Sequence, residues 1–219
     1  MKVKSILFVM ILTLPALVFA QSKISLGVNG GLALPGGTMS DLYETGYGGG
    51  INAGYDLSPD VQLFLGVNYY SHKFNNDVFN DLYDFFGVTE KPSVDATLSV
   101  IPVYVGARYF FAKSGFNPYA EAKIGMHFMS LKAASVKIGT ETINVSKEES
   151  VSKFGWGLGI GFQAPVSKGI CVDVNVGVNG NGFEFKKSFE VSSGSSSYKE
   201  ETSSTGLFYN VSAGLVFAL

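Results

Sequence analysis

Leu207-Phe208-Tyr209-Asn210-Val211-Ser212-Ala213-Gly214-Leu215-Val216-Phe217-Ala218-Leu219 is the stretch whose reading decides the fold. Leu207, Tyr209, Val211, Ala213, Leu215, Phe217 and Leu219 fall on one face of an extended chain. Phe208, Asn210, Ser212, Gly214, Val216 and Ala218 fall on the other. Side chains of a strand alternate between faces, so a period of two marks a strand. One face is apolar enough to meet lipid, and the other is small or polar.

The pattern recurs upstream in seven further segments, near residues 24–34, 47–57, 61–72, 97–111, 119–131, 154–164 and 170–178. In the third, Leu63, Leu65, Val67 and Tyr69 oppose Gln62, Gly66, Asn68, Tyr70 and His72. In the sixth, Phe154, Trp156, Leu158, Ile160 and Phe162 oppose Gly155, Gly157, Gly159 and Gly161. Strict alternation separates these glycines from a phosphate-binding loop. They let the wall curve and let bulky neighbours pack against backbone. Each segment reaches the roughly 9–11 residues that a tilted membrane strand needs. Short turns (Ser58-Pro59-Asp60, residues 113–117 and residues 165–169) alternate with long connections near 35–46, 73–96, 132–153 and 184–205. Short turns on one side and long loops on the other predict an all-β, transmembrane, antiparallel up-and-down β-barrel of about eight strands, its long loops outside the cell. A soluble barrel would turn its apolar face inward. Here the face opposite the apolar one carries Gly, Asn and charges.

The long connections carry their own patterns. Val78, Leu82 and Phe86 share a helical stripe after an Asn/Asp cluster, which predicts a short helix. Residues 136–145 read as strand, turn, strand; counting that hairpin as wall would give ten strands. A serine-rich tip covers residues 192–197.

The first residues place Lys2 and Lys4 before an apolar run from Ile6 to Ala20, interrupted by Pro15 and ending Val18-Phe19-Ala20. The run is shorter than the ~20 residues of a spanning helix and ends in a signal-peptidase pattern. Residues 1–20 are therefore expected to be a cleaved signal peptide and residues 21–219 an outer-membrane barrel domain. The expected location is the outer membrane of a Gram-negative bacterium, reached by export through the inner membrane. The formal net charge of −2 leaves no basic footprint for nucleic acid. Cys171 is the one cysteine, so no internal disulfide or cysteine-rich zinc site is expected. Glycine is abundant, at 27 residues, aromatics reach 14% and charged residues only 16%, a balance that suits a membrane barrel better than a secreted enzyme.

Alternation turns Asp56, Arg108, Glu121, Lys123, His127 and Asp173 inward. Eight strands leave an interior just wide enough for side chains to fill. Charges there must pair, because a lone buried charge is very costly. Arg108 and Glu121 lie on strands joined by a short turn, so an internal ion-pair network is expected. Tyr47, Tyr55, Tyr69, Tyr109, Phe111 and Trp156 fall at or near strand ends on the outward face, where membrane-interface aromatics sit. His72 is placed near the outer rim, within reach of Ser71 or Asp77, and His127 deep inside. Neither arrangement makes a catalytic set, and no enzyme activity is expected. Asp77, Asp81 and Asp84 lack the Gly and terminal Glu of a calcium loop. No cofactor or metal is expected.

Ile101-Pro102-Val103-Tyr104-Val105-Gly106-Ala107-Arg108-Tyr109-Phe110 resembles the fourth strand of small outer-membrane barrels of the OmpA/OmpX-like, opacity-type group. Pro118-Tyr119-Ala120-Glu121-Ala122-Lys123-Ile124-Gly125 resembles the strand that follows it. That group usually closes on a terminal aromatic; this sequence keeps the alternation but ends Phe217-Ala218-Leu219. No periplasmic peptidoglycan-binding domain is expected after the barrel. The resemblance implies a fold, while such barrels serve as anchors, adhesins, small pores or enzymes. The expected function is a non-enzymatic scaffold presenting extracellular loops for adhesion or binding, with a narrow porin-like channel as the alternative. Expected partners are outer-membrane lipid, the barrel-insertion machinery, and an extracellular ligand or surface that no motif names. The barrel is expected to be a monomer.

Overall fold

The alternating segments become the staves of one closed wall. The computed structural model describes residues 23–79, 93–112, 115–138, 141–181, 189–193, 196–200 and 206–219. The wall consists of β1 (Ile24–Gly36), β2 (Gly46–Asp56), β3 (Val61–Lys73), β4 (Ser93–Phe110), β5 (Asn117–Ile138), β6 (Glu141–Ser167), β7 (Ile170–Asn181) and β10 (Gly206–Ala218). Each pairs antiparallel with its neighbours, and β1 meets β10 from Ser25 opposite Ala218 to Gly36 opposite Leu207, which closes the barrel. Closure leaves the ring without an unpaired edge. Between β7 and β10, β8 (Phe189–Ser193) and β9 (Ser196–Glu200) form a separate two-stranded sheet.

The wall has eight strands, not ten. The hairpin read in residues 136–145 adds no stave, because β5 and β6 run straight through it with one register shift between Ala133 and Ser135. It lengthens two existing strands beyond the wall. Turn chemistry sets the opposite end. Ser58 Oγ accepts from the N–H groups of Asp60 (3.3 Å) and Val61 (3.1 Å). Gly115 (φ 72°) and Gly169 (φ 75°) hold the next two turns in the left-handed region, where a side chain is strained.

The connection after β1 contains a helical turn, α1 (Thr38–Leu42), that no sequence pattern announced. The predicted helix on Val78, Leu82 and Phe86 falls largely outside the described residues. Its start, Asn76–Phe79, is a 3-10 turn, with Asn75 Oδ1 accepting from Asp77 N–H at 3.0 Å. Asp81, Asp84, residues 1–20, expected to be a signal peptide, and the centre of the serine-rich tip also lie outside the described residues.

The two faces of the wall differ as the alternation requires. Outward, Leu32, Ile51, Leu65, Val105, Ile124, Leu158, Ile160 and Val176 are all exposed and make an apolar band. Inward, Gln62, Asn68, Arg108, Glu121, His127, Asn175 and Asn210 are buried. Toward the loops the sense reverses. Above Phe128 the outward face of β5 turns to Ser130 and Lys132, while Met129, facing inward, is 2% exposed.

Candidate functional site

The lumen begins at the turn end with a chain of polar contacts. Arg108 Nε donates to Glu121 Oε2 at 2.9 Å, and its Nη1 donates to Gln62 Oε1 at 3.4 Å. Gln62 Nε2 in turn donates to Asp56 Oδ1 at 2.8 Å and to Ser25 Oγ at 3.3 Å. Lys123 Nζ donates to Glu121 Oε1 at 3.2 Å, so this one carboxylate meets two cations. Two aromatic rings meet the guanidinium: it lies 4.5 Å from the centre of the Phe64 ring and 5.0 Å from that of Tyr119. Aromatic faces attract cations, most strongly out of water.

Asp173 belongs to a second chain beside the first. The Tyr119 hydroxyl lies 3.1 and 3.2 Å from its two oxygens, and Gln163 Nε2 donates to Oδ2 at 3.0 Å. Asn175 donates to the Tyr119 oxygen (3.3 Å), Asn210 to Asn175 (3.1 Å) and Asn179 to Asn210 (2.7 Å). An amide ladder thus climbs from Asp173 toward the loop end. Asn181 Nδ2 donates to His127 Nδ1 at 3.3 Å.

The glycines of β6 make room for this network. Tyr119, Glu121 and Lys123 of β5 lie opposite Gly161, Gly159 and Gly157. A Cβ would come within 2.6 Å of Tyr119 Cζ at Gly161, within 3.1 Å of Glu121 Cγ at Gly159 and within 2.6 Å of Lys123 Cε at Gly157. At Gly155 it would reach His127 Nε2 at 2.6 Å. The stripe is a groove into which the inward side chains of one strand are laid.

Nearer the loops the interior becomes apolar. Met39 and Tyr43, carried by and just after α1, pack with Leu98, Val100, Met129 and Phe208, and Leu42, Phe74 and Leu131 lie against them. Burial raises the Tyr43 phenol above its ordinary value. Between the two layers sit cavities of about 20 and 10 Å³, the size of one water molecule each, which needs roughly 10–15 Å³. His72 borders the larger one. Near the loop end of β3 it is fully buried, at 0% exposure, with Nδ1 3.2 Å from the Glu44 carbonyl oxygen and its ring 5.4 Å from that of Phe208. Its Nε2 has no partner among the described residues.

All six sequence-identified charged and histidine positions of the lumen therefore face inward, and five of them join contacts with one another or through Gln62 and Tyr119. His127 stands apart, against Asn181. His72 lies at the loop end of β3, one residue before the strand ends, and inward parity buries it there against the Glu44 carbonyl. Alternation had marked Gln62, Asn175 and Asn210 as inward but gave no reason to link them. Phe64 and Tyr119 were missed, because an aromatic on a polar face breaks the pattern. Their parity with Gln62 and Glu121 was the available sign. Tyr47, Tyr55, Tyr69, Tyr109, Phe111 and Trp156 all point outward and are between 43% and 65% exposed. Tyr55, Tyr109 and Phe111 lie at the turn end, and Tyr47 and Tyr69 at the loop end. The Trp156 indole covers Gly180, near the loop end of β7, where a Cβ would meet it at 2.6 Å.

A family model described as the outer membrane protein beta-barrel domain matches residues 5–210. No curated protein matches the sequence. Among solved structures, Neisserial surface protein A is similar at 18% identity and a TM-score of 0.52, over 90% of this chain and 98% of that one. A major outer membrane protein from Thermus thermophilus is similar at 13% identity and a TM-score of 0.53, over 90% of this chain and 99% of that one. At these identities the likeness is one of fold.

Proposed function

The chain belongs to the outer membrane protein beta-barrel domain family, and from that premise we propose that it is a non-enzymatic surface protein whose barrel carries its long loops to a ligand or surface outside the cell. Its place is the outer membrane. Export by a signal peptide removed before Gln21, a monomeric state and insertion by the barrel-assembly machinery belong to the same reading. So does the role of the six outward aromatics as anchors at the two membrane interfaces.

The observation that carries the reading is the filled lumen. A charged network at the turn end and an apolar cluster at the loop end occupy the interior in series. A conducting path would need water along its length, yet buried side chains of both layers stand across the interior among the described residues, Arg108, Glu121 and His127 below and Met129, Val100 and Phe208 above. What the wall does extend is its rim: β5 has 22 residues and β6 has 27, where β1 has 13.

Single-channel recording of the refolded protein in a planar bilayer tests this against the channel alternative. A silent bilayer, with heat-modifiable mobility showing that the barrel is folded, is the expected result. A steady conductance that changes when Arg108 or Glu121 is replaced would overturn it.

A further inference from the structure

We propose that His72 is a proton-operated latch, and that acidification frees the connection between β1 and β2, with α1 in it, from the loop end of the barrel. That connection is the cover over the ring. Tyr43 forms a β-bridge with Phe74, the Glu44 N–H donates to the Lys73 carbonyl at 2.9 Å, and the Glu44 carbonyl oxygen lies 3.2 Å from His72 Nδ1. At the start of β2 the backbone comes so close that a Cβ on Gly46 would meet the imidazole at 2.5 Å.

The Glu44 contact fixes the tautomer. A carbonyl oxygen only accepts, so Nδ1 carries the proton and Nε2 is a bare lone pair. Nε2 is buried without a hydrogen-bond partner among the described residues, and the ring borders the cavity of about 20 Å³ at the seam of the two layers. One water in that space can donate to Nε2, but it cannot hydrate an imidazolium.

The surroundings offer no acid to a protonated ring. Around the cavity β3 brings Tyr70 and β5 brings His127, while β1, β4, β7 and β10 bring only apolar and amide side chains. At acid pH a phenol is neutral, and a second imidazole adds only positive charge. So does Lys123 of β5, which borders the adjoining cavity with His127. The cover itself contributes the buried Tyr43 phenol and Glu44, an exposed residue that meets the ring through its backbone.

Protonation therefore places a charge without a counter-ion at a position 0% exposed. The charge strengthens the single bond to Glu44, which is less than the hydration an imidazolium gives up on burial. Water reaches the ring when the cover lifts. The open form thus binds one proton more than the closed form, and its population rises as pH falls below about 6.5, the ordinary value for histidine. Exposed carboxylates titrate about two units lower. The interval from pH 7.0 to 5.5 therefore reports on histidine, of which the sequence has two. Because α1 lies in a long connection, the surface shown outside the cell would differ in acid. That consequence rests on the loop-presenting reading, whereas the latch and its test do not.

The test is proteinase K cleavage of the refolded protein in a neutral detergent, with cuts within residues 37–45 located by mass spectrometry. At each pH the rate is divided by that for a free peptide of residues 36–47. Where closing outpaces cutting, the ratio follows the open population. One added proton predicts a rise of about eightfold from pH 7.0 to 5.5. His72→Asn keeps an N–H near the place of Nδ1 and cannot titrate, so its ratio should stay level over the interval. His127→Asn should rise as the wild type does. Heat-modifiable mobility verifies the barrel in each variant. A level ratio in the wild-type protein would overturn the proposal whatever the variants do. So would an undiminished rise in His72→Asn, or loss of the rise in His127→Asn.

Discussion

Along the same strands, the part of the barrel at membrane level and the part above it are built with opposite polarity. At membrane level β5 turns Ile124 and Met126 to lipid and keeps Glu121 and Lys123 inside. Above, it turns Ser130 and Lys132 outward and keeps Met129 inside. From Glu121 to Lys132 the alternation runs on unbroken; only the sense of "apolar" changes face. Solvent explains the change. In hydrocarbon, apolar side chains lose nothing by pointing out, and polar ones must find partners within. In water the hydrophobic effect operates again and draws Met39, Tyr43, Leu98, Val100 and Phe208 together. One fold therefore has two cores: a polar one made rigid by pairing, and an apolar one made by burial.

The sharpest way to break the polar core is Glu121→Ala. Arg108 would keep its aromatic cover and lose its carboxylate, leaving an uncompensated charge at a position 7% exposed. Breaking one side of a buried pair costs about 3–5 kcal/mol. A urea titration followed by heat-modifiable mobility should show that loss. Replacing Arg108, Glu121 and Lys123 together by Met should cost much less, because none of the three paired charges is left alone. Equal losses would mean that the pair's volume, not its charge, holds the lower core.

The apolar core should respond differently. Met39 is 1% exposed at the centre of the loop-end cluster, and truncating a buried Met to Ala costs about 2–5 kcal/mol in a closed core. This core takes Met39 from a single helical turn. Met39→Ala is therefore expected at the low end, about 2 kcal/mol, and to act locally. Protease cleavage near α1 should speed up while the barrel's urea midpoint moves little. A midpoint shift as large as that of Glu121→Ala would show that the two cores unfold as one.

The glycine groove distinguishes yielding from unyielding neighbours. At Gly157 an added methyl meets the side chains of Lys123 and Asn179, which can bend aside. At Gly161 it meets the Val174 carbonyl oxygen as well as the Tyr119 ring. Overpacking costs about 1–3 kcal/mol. Gly161→Ala should fall within that range and Gly157→Ala below it, both read from urea midpoints.

How much of this was legible beforehand follows from the same physics. Parity is a local property, so the eight strands, the outward aromatics and the inward charges could all be read from spacing. Which inward groups touch is set by register between strands and by tilt, so the amide ladder from Asp173 to Asn179 and the cover of Phe64 and Tyr119 over Arg108 had no local sign. His72 shows the limit most plainly. Its distance from the strand end placed it at the loop end and its even spacing from Gln62 and Tyr70 turned it inward, but neither showed the Glu44 carbonyl and the Phe208 ring that meet it. The short helix α1 was invisible for another reason. It has one turn, no side-chain cap and a glycine before it at φ 60°, and it is held by the packing of Met39 and Leu42 rather than by propensity.

The smallest expected effect closes the comparison between the two parts of the wall. Two of the ion pairs on β5 can be compared directly. Glu121 meets Arg108 at 2.9 Å with side chains 3% and 8% exposed, whereas Lys132 meets Glu148 at 3.5 Å with side chains 61% and 55% exposed. Above the membrane, water solvates both partners whether or not they meet, and salt screens what attraction remains. Glu148→Gln should therefore change the urea midpoint by less than about 1 kcal/mol, and the change should vanish in high salt. The Glu121→Ala loss should persist in the same salt, since ions do not enter the dry interior around Arg108. A salt-sensitive loss at Glu121 would mean that water reaches the lower core, and would reopen the channel reading.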